Sequence, residues 1–254
     1  MTTKVSAANP WHFSVLIPAR DEEQLLPRCL QSVIAAREAL LDTVIAVTCD
    51  IVVVVDSSMD ATYTVAQEIL GDLGEVVRCD AGAVGVARCA AAQVALHRVH
   101  HPWSRVWLAN TDADCCVPET WLRDQLALAE KGVQAIAGIV DVDSFEEHNE
   151  GVKQRFRSTY LLHPDGTHPH VHGANMGVRA DAYLRAGCWA NLCTAEDHDL
   201  WQRLKATGAR RISSAHIQVL TSGRRAGRAP LGFAAALAAH NGAAPFAVEA
   251  EGAS

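Results

Sequence analysis

The apolar residues of this chain change their period repeatedly. Phe13 to Ile17 is a short apolar run closed by Pro18, which predicts a buried strand. From Glu22 to Leu41 the positions Leu25, Leu26, Leu30, Val33, Ile34 and Leu41 recur at helical spacing. Pro27 suits the first turn of that helix, where a missing N–H costs little. Ile51 to Val55 is β-branched throughout, the pattern of a central strand covered on both faces. A helix over about 60–70, a strand near 75–79, an Ala-rich helix over 83–100 and a strand over 105–110 follow. Pro118 leads into a helix from Trp121 to Glu130, and Gln134 to Val140 is strand again. This alternation predicts an α/β fold with a mainly parallel, Rossmann-like sheet flanked by helices. Ligands of such sheets bind beyond the carboxyl ends of the strands.

After residue 141 the rhythm loosens. Asp141 to His172 is polar, His-rich and interrupted by Pro164, Gly166 and Pro169, which predicts a long loop or irregular insertion over the site. A helix over about 195–207, a strand around 216–220, a basic glycine-bearing loop over 223–227 and an Ala-rich helix over 230–240 complete the pattern. Residues 244–254 read as a flexible tail. No repeat or linker divides the chain.

Composition narrows the classes open to it. A chain of 254 residues, 49% hydrophobic and 20% charged, can bury one substantial core. A formal net charge of −7 argues against nonspecific binding to nucleic acid or anionic lipid. Eight cysteines occur without a CxxC pair, and Cys29, Cys49, Cys79 and Cys89 lie in apolar stretches where thiols act as small hydrophobes. The N-terminus lacks a basic region followed by an apolar run, and no run approaches the roughly 18 apolar residues of a membrane helix. A cytoplasmic protein is expected.

Position, more than residue type, points to chemistry. Three apolar strands end in polar or acidic residues: Pro18-Ala19-Arg20-Asp21-Glu22, Asp56-Ser57-Ser58 and Thr111-Asp112-Ala113-Asp114. A parallel sheet gathers those ends along one edge. Asp112 and Asp114 flank Ala113, a spacing that can aim both carboxylates at one ion or divide them between ion and ribose. Mg²⁺ or Mn²⁺ takes hard oxygen ligands of this kind together with substrate phosphates. Asp114 also precedes a helix, so an acid capping that helix is the competing reading.

These segments resemble family 2 glycosyltransferases, which have the GT-A fold. Val15-Leu16-Ile17-Pro18-Ala19-Arg20-Asp21-Glu22-Glu23 is similar to their opening strand and loop, Val54 to Thr62 to their second motif, and Asp112-Ala113-Asp114 to their DxD. Gly173-Ala174-Asn175-Met176-Gly177 and Glu196-Asp197 resemble their later acceptor-side motifs. The resemblance runs from about residue 13 to about 225. It implies a single domain over 1–243, with a nucleotide-sugar half at about 13–140 and an acceptor half at 141–243.

Carried over position by position, the resemblance places Pro18, Ala19, Arg20 and Glu22 around the nucleotide, with Asp56 accepting a hydrogen bond from the base. Gly85 and Arg88 match the element that approaches base and ribose; a surface salt bridge is the alternative for Arg88. Asp112 would meet ribose or metal and Asp114 the metal, with His216 loosely placed as a third ligand or else a core or surface histidine. The expected donor is a UDP-sugar, with GDP not excluded, and the acceptor is a hydroxyl on a small molecule, lipid or glycan. Homodimerisation is left open.

On the acceptor side the resemblance makes Asp197 the base and Glu196 a sugar or acceptor contact in an inverting reaction. Acids favoured in a first helical turn are the plain alternative. Proton removal from the acceptor is worth on the order of 10²–10⁴-fold. Gly173, Ala174 and Asn175 read as acceptor or sugar contacts, or as a turn. His168, His170 and His172 share one face of an extended segment, so they could bind zinc or border the acceptor pocket, with His172 the candidate contact. Arg224 and Arg225, with Arg228 nearby, could fold over the diphosphate, meet an anionic acceptor, or be a solvated basic face.

Two rivals remain at this level. A nucleotidyltransferase normally carries a glycine-rich basic loop after its first strand, where this chain has Pro-Ala-Arg-Asp-Glu-Glu. A non-catalytic nucleotide-sugar sensor would have no need of the paired acids.

Overall fold

The computed structural model describes residues 10–43, 46–229 and 232–242. The expected tail, and the first two residues of the expected last helix, lie outside them. Seven strands form one sheet in the order β3-β2-β1-β4-β6-β5-β7. They are β1 (Trp11–Ala19), β2 (Val47–Asp56), β3 (Gly74–Cys79), β4 (Val106–Asn110), β5 (Ala135–Val142), β6 (Met176–Arg179) and β7 (Arg211–Thr221). Only β6 runs antiparallel to its neighbours.

Both faces of the sheet are covered, which is why β1 and β2 read as unbroken apolar runs rather than alternating ones. Val15, Ile17, Val53 and Val55 belong to one core cluster, under α1 (Leu26–Thr43), α2 (Thr62–Leu70) and α4 (Trp121–Glu130). Leu16, Val52 and Val54 belong to the other, under α3 (Val84–Arg98), α6 (Ala180–Arg185) and α7 (Glu196–Ala206). A third, small cluster joins Val142, Val152, Phe156 and Leu237, tying α5 (Val152–Thr159) to α8 (Phe233–Ala239).

The second half is more regular than its sequence suggests. The expected insertion over 141–172 contains α5, whose eight residues offer only Val152 and Phe156 to a core. The short pair β6 and α6 was not anticipated either, and β7 starts at Arg211 rather than near 216. The β5–β7 register jumps between Gly138 and Ile139, whose partners are Ser214 and Gln218. The jump is a bulge in the middle of the β5–β7 pair.

Candidate active site

β2, β1 and β4 are adjacent and parallel, so their carboxyl ends open side by side. One cavity there is lined by Pro18, Ala19, Arg20 and Glu22 after β1, by Asp56, and by Asp112, Ala113 and Asp114 after β4. The loop after β7 closes its far side with Ser222, Arg224, Gly227 and Arg228, followed by Phe233 of α8. Three non-glycine residues at the site hold left-handed backbone: Asp21 (φ 49°), Ser57 (φ 52°) and Ala195 (φ 59°). Such strain persists only where surroundings enforce it. Asp21 Oδ1 accepts the Met59 N–H at 2.8 Å, and the Ser57 hydroxyl reaches Asp56 and Asp80 at 2.9 Å each.

Asp56 is buried at the cavity wall. Its Oδ1 accepts the N–H groups of Ala81 (2.8 Å) and Gly82 (3.0 Å) and the Ser57 hydroxyl. Burial opposes its charge, but these donors outweigh it and hold the carboxyl below the usual range. All three of these bonds fall on Oδ1.

Asp112, Asp114 and Cys115 place ligand atoms within 4.8 Å of one another, the one such group among the described residues. Two carboxylates suit a hard divalent ion; the Cys115 thiol is buried and held protonated, hence a poor ligand for it. Burial, with Asp112 and Glu22 close by, pushes the Asp114 carboxyl up to about 6 even though Arg224 opposes the shift. Arg224 donates to Glu22 through Nη2 (2.6 Å) and Nη1 (2.9 Å), and its Nη2 lies 3.0 Å from Asp114 Oδ2. Arg228 donates to the Asp21 carbonyl at 2.6 Å.

Several expectations need correction. Arg88 does not line the cavity; it is 2% exposed and bridges inside the protein, from Nη2 to Asp112 Oδ1 (2.6 Å) and from Nε to Glu196 Oε1 (3.1 Å). Its Nη1 is buried without a partner among the described residues. Gly85 is small for a different reason than the one expected: a Cβ there would collide with the carbonyls of Ala190 and Leu192, and its N–H donates to the Leu192 carbonyl at 3.0 Å. It therefore seats the loop that leads into α7. Arg225 is exposed and outside the cavity, its N–H on Glu147, so Arg228 replaces it beside Arg224. His216 sits exposed on the β7 bulge against Gly166, apart from the aspartates, and is not a third ligand here.

Asn175 faces the interior, not a sugar. It is 1% exposed; its Nδ2 donates to the carbonyls of Ile139 (2.8 Å) and Ile217 (2.9 Å), and its Oδ1 accepts from Trp121 Nε1 (2.9 Å). The amide stitches the β5–β7 bulge to α4. Ala174 is buried in the adjacent core. Gly173 lies flat against the Arg88 guanidinium, where a Cβ would collide, and its N–H donates to Asp197 Oδ2 at 2.8 Å. This stretch is therefore tied into the interior, to Arg88, Asp197 and the β5–β7 bulge.

Glu196 and Asp197 open α7 as expected, with different surroundings. Glu196 is buried beside Arg88, and burial together with Asp197 raises its carboxyl despite that arginine. Asp197 is half-buried, its two oxygens held by the N–H groups of Gly173 and His198 (2.7 Å). The histidines do share a face: His168, His170 and His172 stack with ring centroids 5.8 and 6.0 Å apart, and Tyr160 stacks on His170 at 3.9 Å. Their ring nitrogens do not converge as a zinc site would require. Val140 N–H donates to the Tyr160 hydroxyl, which is left to donate to His172 Nε2 at 2.9 Å. Burial and the neighbouring histidines push His172 down to about 3, so the ring is neutral. It packs edge-on against Phe233 of the cavity wall. Tyr160 and Phe233 carry no local motif, and nothing in the sequence singles them out.

A mainly parallel sheet whose adjacent strand ends gather a cleft and a DxD pair is the arrangement of the GT-A fold. The chain matches glycosyl transferase family 2 over residues 14–185 and belongs to that family. Solved structures similar to it include the mannosyltransferase PcManGT from Pyrobaculum calidifontis in complex with GDP-Man and Mn²⁺, at TM-score 0.61 and 18% identity over 87% of this chain and 59% of that one. GalNAc-T7 with UDP, GalNAc and Mn²⁺ follows at 0.62 and 16%, over 85% and 44%. TarS 1–349 from S. aureus in complex with UDP follows at 0.57 and 14%, over 84% and 61%. The chain thus spans less than two thirds of each. No curated protein sequence matches it. Among the described residues, no helix is long and apolar enough to cross a membrane.

Proposed function

We propose that this protein transfers a sugar from a nucleoside diphosphate sugar, a UDP-sugar in the first instance, to a hydroxyl acceptor with inversion. The observation that carries the reading is the convergence of Asp56, Asp112, Asp114 and Arg224 on one cavity beside the pair Glu196-Asp197. Pro18 and Ala19 form the floor for the base, and Asp56 Oδ2 accepts its hydrogen bond. Asp112 and Asp114 are the residues that would hold Mg²⁺ or Mn²⁺, which as a Lewis acid would neutralise the departing diphosphate. Arg224 and Arg228 bring positive charge to the same side of the leaving group.

Asp197 removes the acceptor proton. Its carboxylate is held in place by two backbone N–H groups, and Glu196, braced by Arg88, fixes the start of α7. His172, neutral and oriented by Tyr160, borders the acceptor path. A cytoplasmic enzyme working on a small-molecule, lipid or glycan hydroxyl fits this layout. Thermal-shift titration with UDP, GDP and their sugars in Mn²⁺ identifies the donor, because only a bound ligand raises stability by mass action. Release of nucleoside diphosphate then tests catalysis. Asp197→Asn should bind donor yet lose transfer, and Asp114→Ala should lose both; normal binding and turnover by Asp114→Ala would falsify the assignment. Donor binding without turnover in the wild type would favour a sensor.

A further inference from the structure

Both acids of the DxD pair already carry a guanidinium. Arg88 takes Asp112 Oδ1 and Arg224 takes Asp114 Oδ2. The two arginines differ in how firmly they are held. Arg88 is on α3, its side chain 3% exposed, locked between Asp112 and Glu196. Arg224 reaches back across 202 positions to Glu22 from a loop with glycines on either side of it, its side chain 19% exposed. The loop is strapped to the end of β1 by Arg228, which donates to the carbonyls of Arg20 (3.3 Å) and Asp21.

We propose that Arg224 is an exchangeable counter-cation: it occupies Asp114 when no donor is bound and moves onto the donor's diphosphate when one arrives, freeing Asp114 for the divalent ion. This rests on the reading above that Asp112 and Asp114 hold the ion. A guanidinium and a divalent ion on the same carboxylate repel strongly in a half-buried site, so they compete for it. The planar fork of arginine pairs as well with phosphate oxygens as with a carboxylate, so the exchange keeps its charge matched in both states. Glu22, 5% exposed, keeps Arg224 near the cavity in either position. Ion and nucleotide then favour each other beyond their direct contact, and by linkage the coupling is reciprocal.

Calorimetric titration of Mn²⁺ into the full chain, with and without UDP or GDP, tests this without any turnover. Arg224→Gln should bind Mn²⁺ about tenfold more tightly than wild type in the absence of nucleotide, within the span usual for coupled sites. Its nucleotide affinity in Mn²⁺ should fall, and Arg224→Lys, charged but unable to form the fork, should lie between the two. Arg225→Gln removes the same charge from the same loop without touching Asp114 and should match wild type. Equal Mn²⁺ affinity in Arg224→Gln and wild type, or an equal gain in Arg225→Gln, overturns the exchange while leaving the metal site standing. If no protein takes up Mn²⁺ even with nucleotide present, the metal reading fails and the exchange fails with it.

Discussion

Arg88 is the clearest place to test whether the end of β4 and the start of α7 are joined by a buried charge. Replacing it with Met keeps most of the side-chain volume against Trp189, over whose ring the guanidinium lies at 5.5 Å, so the cavity term is small. The electrostatic term is not. Glu196, its side chain 7% exposed, loses its cation, and stranding a buried charge costs about 3–5 kcal/mol. Asp112, its side chain 36% exposed, is answered by water and contributes roughly 0–1 kcal/mol. Arg88→Met should therefore lose about 3 kcal/mol at pH 7. Neutralising the stranded acid as well, in Arg88→Met/Glu196→Gln, should restore roughly 1–2 kcal/mol relative to additivity. Urea unfolding at pH 7 measures both. A loss under about 1 kcal/mol, or strictly additive single changes, would refute the bridge. Full stability with lost UDP affinity would return Arg88 to the nucleotide.

Three further outcomes are expected. Asn175→Ala strands Trp121 Nε1 and the carbonyls of Ile139 and Ile217, so it should cost about 2–4 kcal/mol in urea and leave the acceptor KM of the folded fraction unchanged; a raised KM with intact stability would make Asn175 a contact after all. His172 sits lower in the fold than in the unfolded chain, so its stabilising contribution is complete above about pH 6.5 and is lost as pH falls towards about 3. Linkage of a single proton limits the slope to roughly 1.4 kcal/mol per pH unit, and His172→Gln should flatten the decline of Tm between pH 7 and pH 5; an unchanged acid slope sinks this account. Ala195→Gly relieves a left-handed backbone at the start of α7 and should shift stability by less than about 1 kcal/mol while slowing transfer, as Glu196-Asp197 loosens; unaltered kcat would show that the strain does not position the acids.

What the sequence made legible was what is local. The β1, β2 and β4 runs are unbroken because helices cover both sheet faces, and their acidic ends need no partner to be recognised. Glu196 and Asp197 were legible for the same reason, being consecutive in a first helical turn. Asn175 was assigned to the acceptor from the resemblance of Gly-Ala-Asn-Met-Gly to a family motif, and its amide turns out to be spent inside the protein. The bulge that consumes its amide forms between strands that pair at 138–139 and 214–218, far away in the chain. Helix α5 escaped because a segment that buries two apolar side chains against a satellite cluster has almost no periodic signal. Gly85 was assigned to the nucleotide when its neighbour is a loop a hundred residues on. The cations follow the same logic. The acids of the site sit at strand ends that the hydrophobic pattern announces, but Arg88 reaches Glu196 across 108 positions and Arg224 reaches Glu22 across 202. Carboxylates gathered at one sheet edge demand positive charge from somewhere, and folding supplies it from the most distant parts of the chain. A reader of the sequence can therefore locate the acids at the strand ends, yet only the folded chain shows that Asp112 and Asp114 already face Arg88 and Arg224.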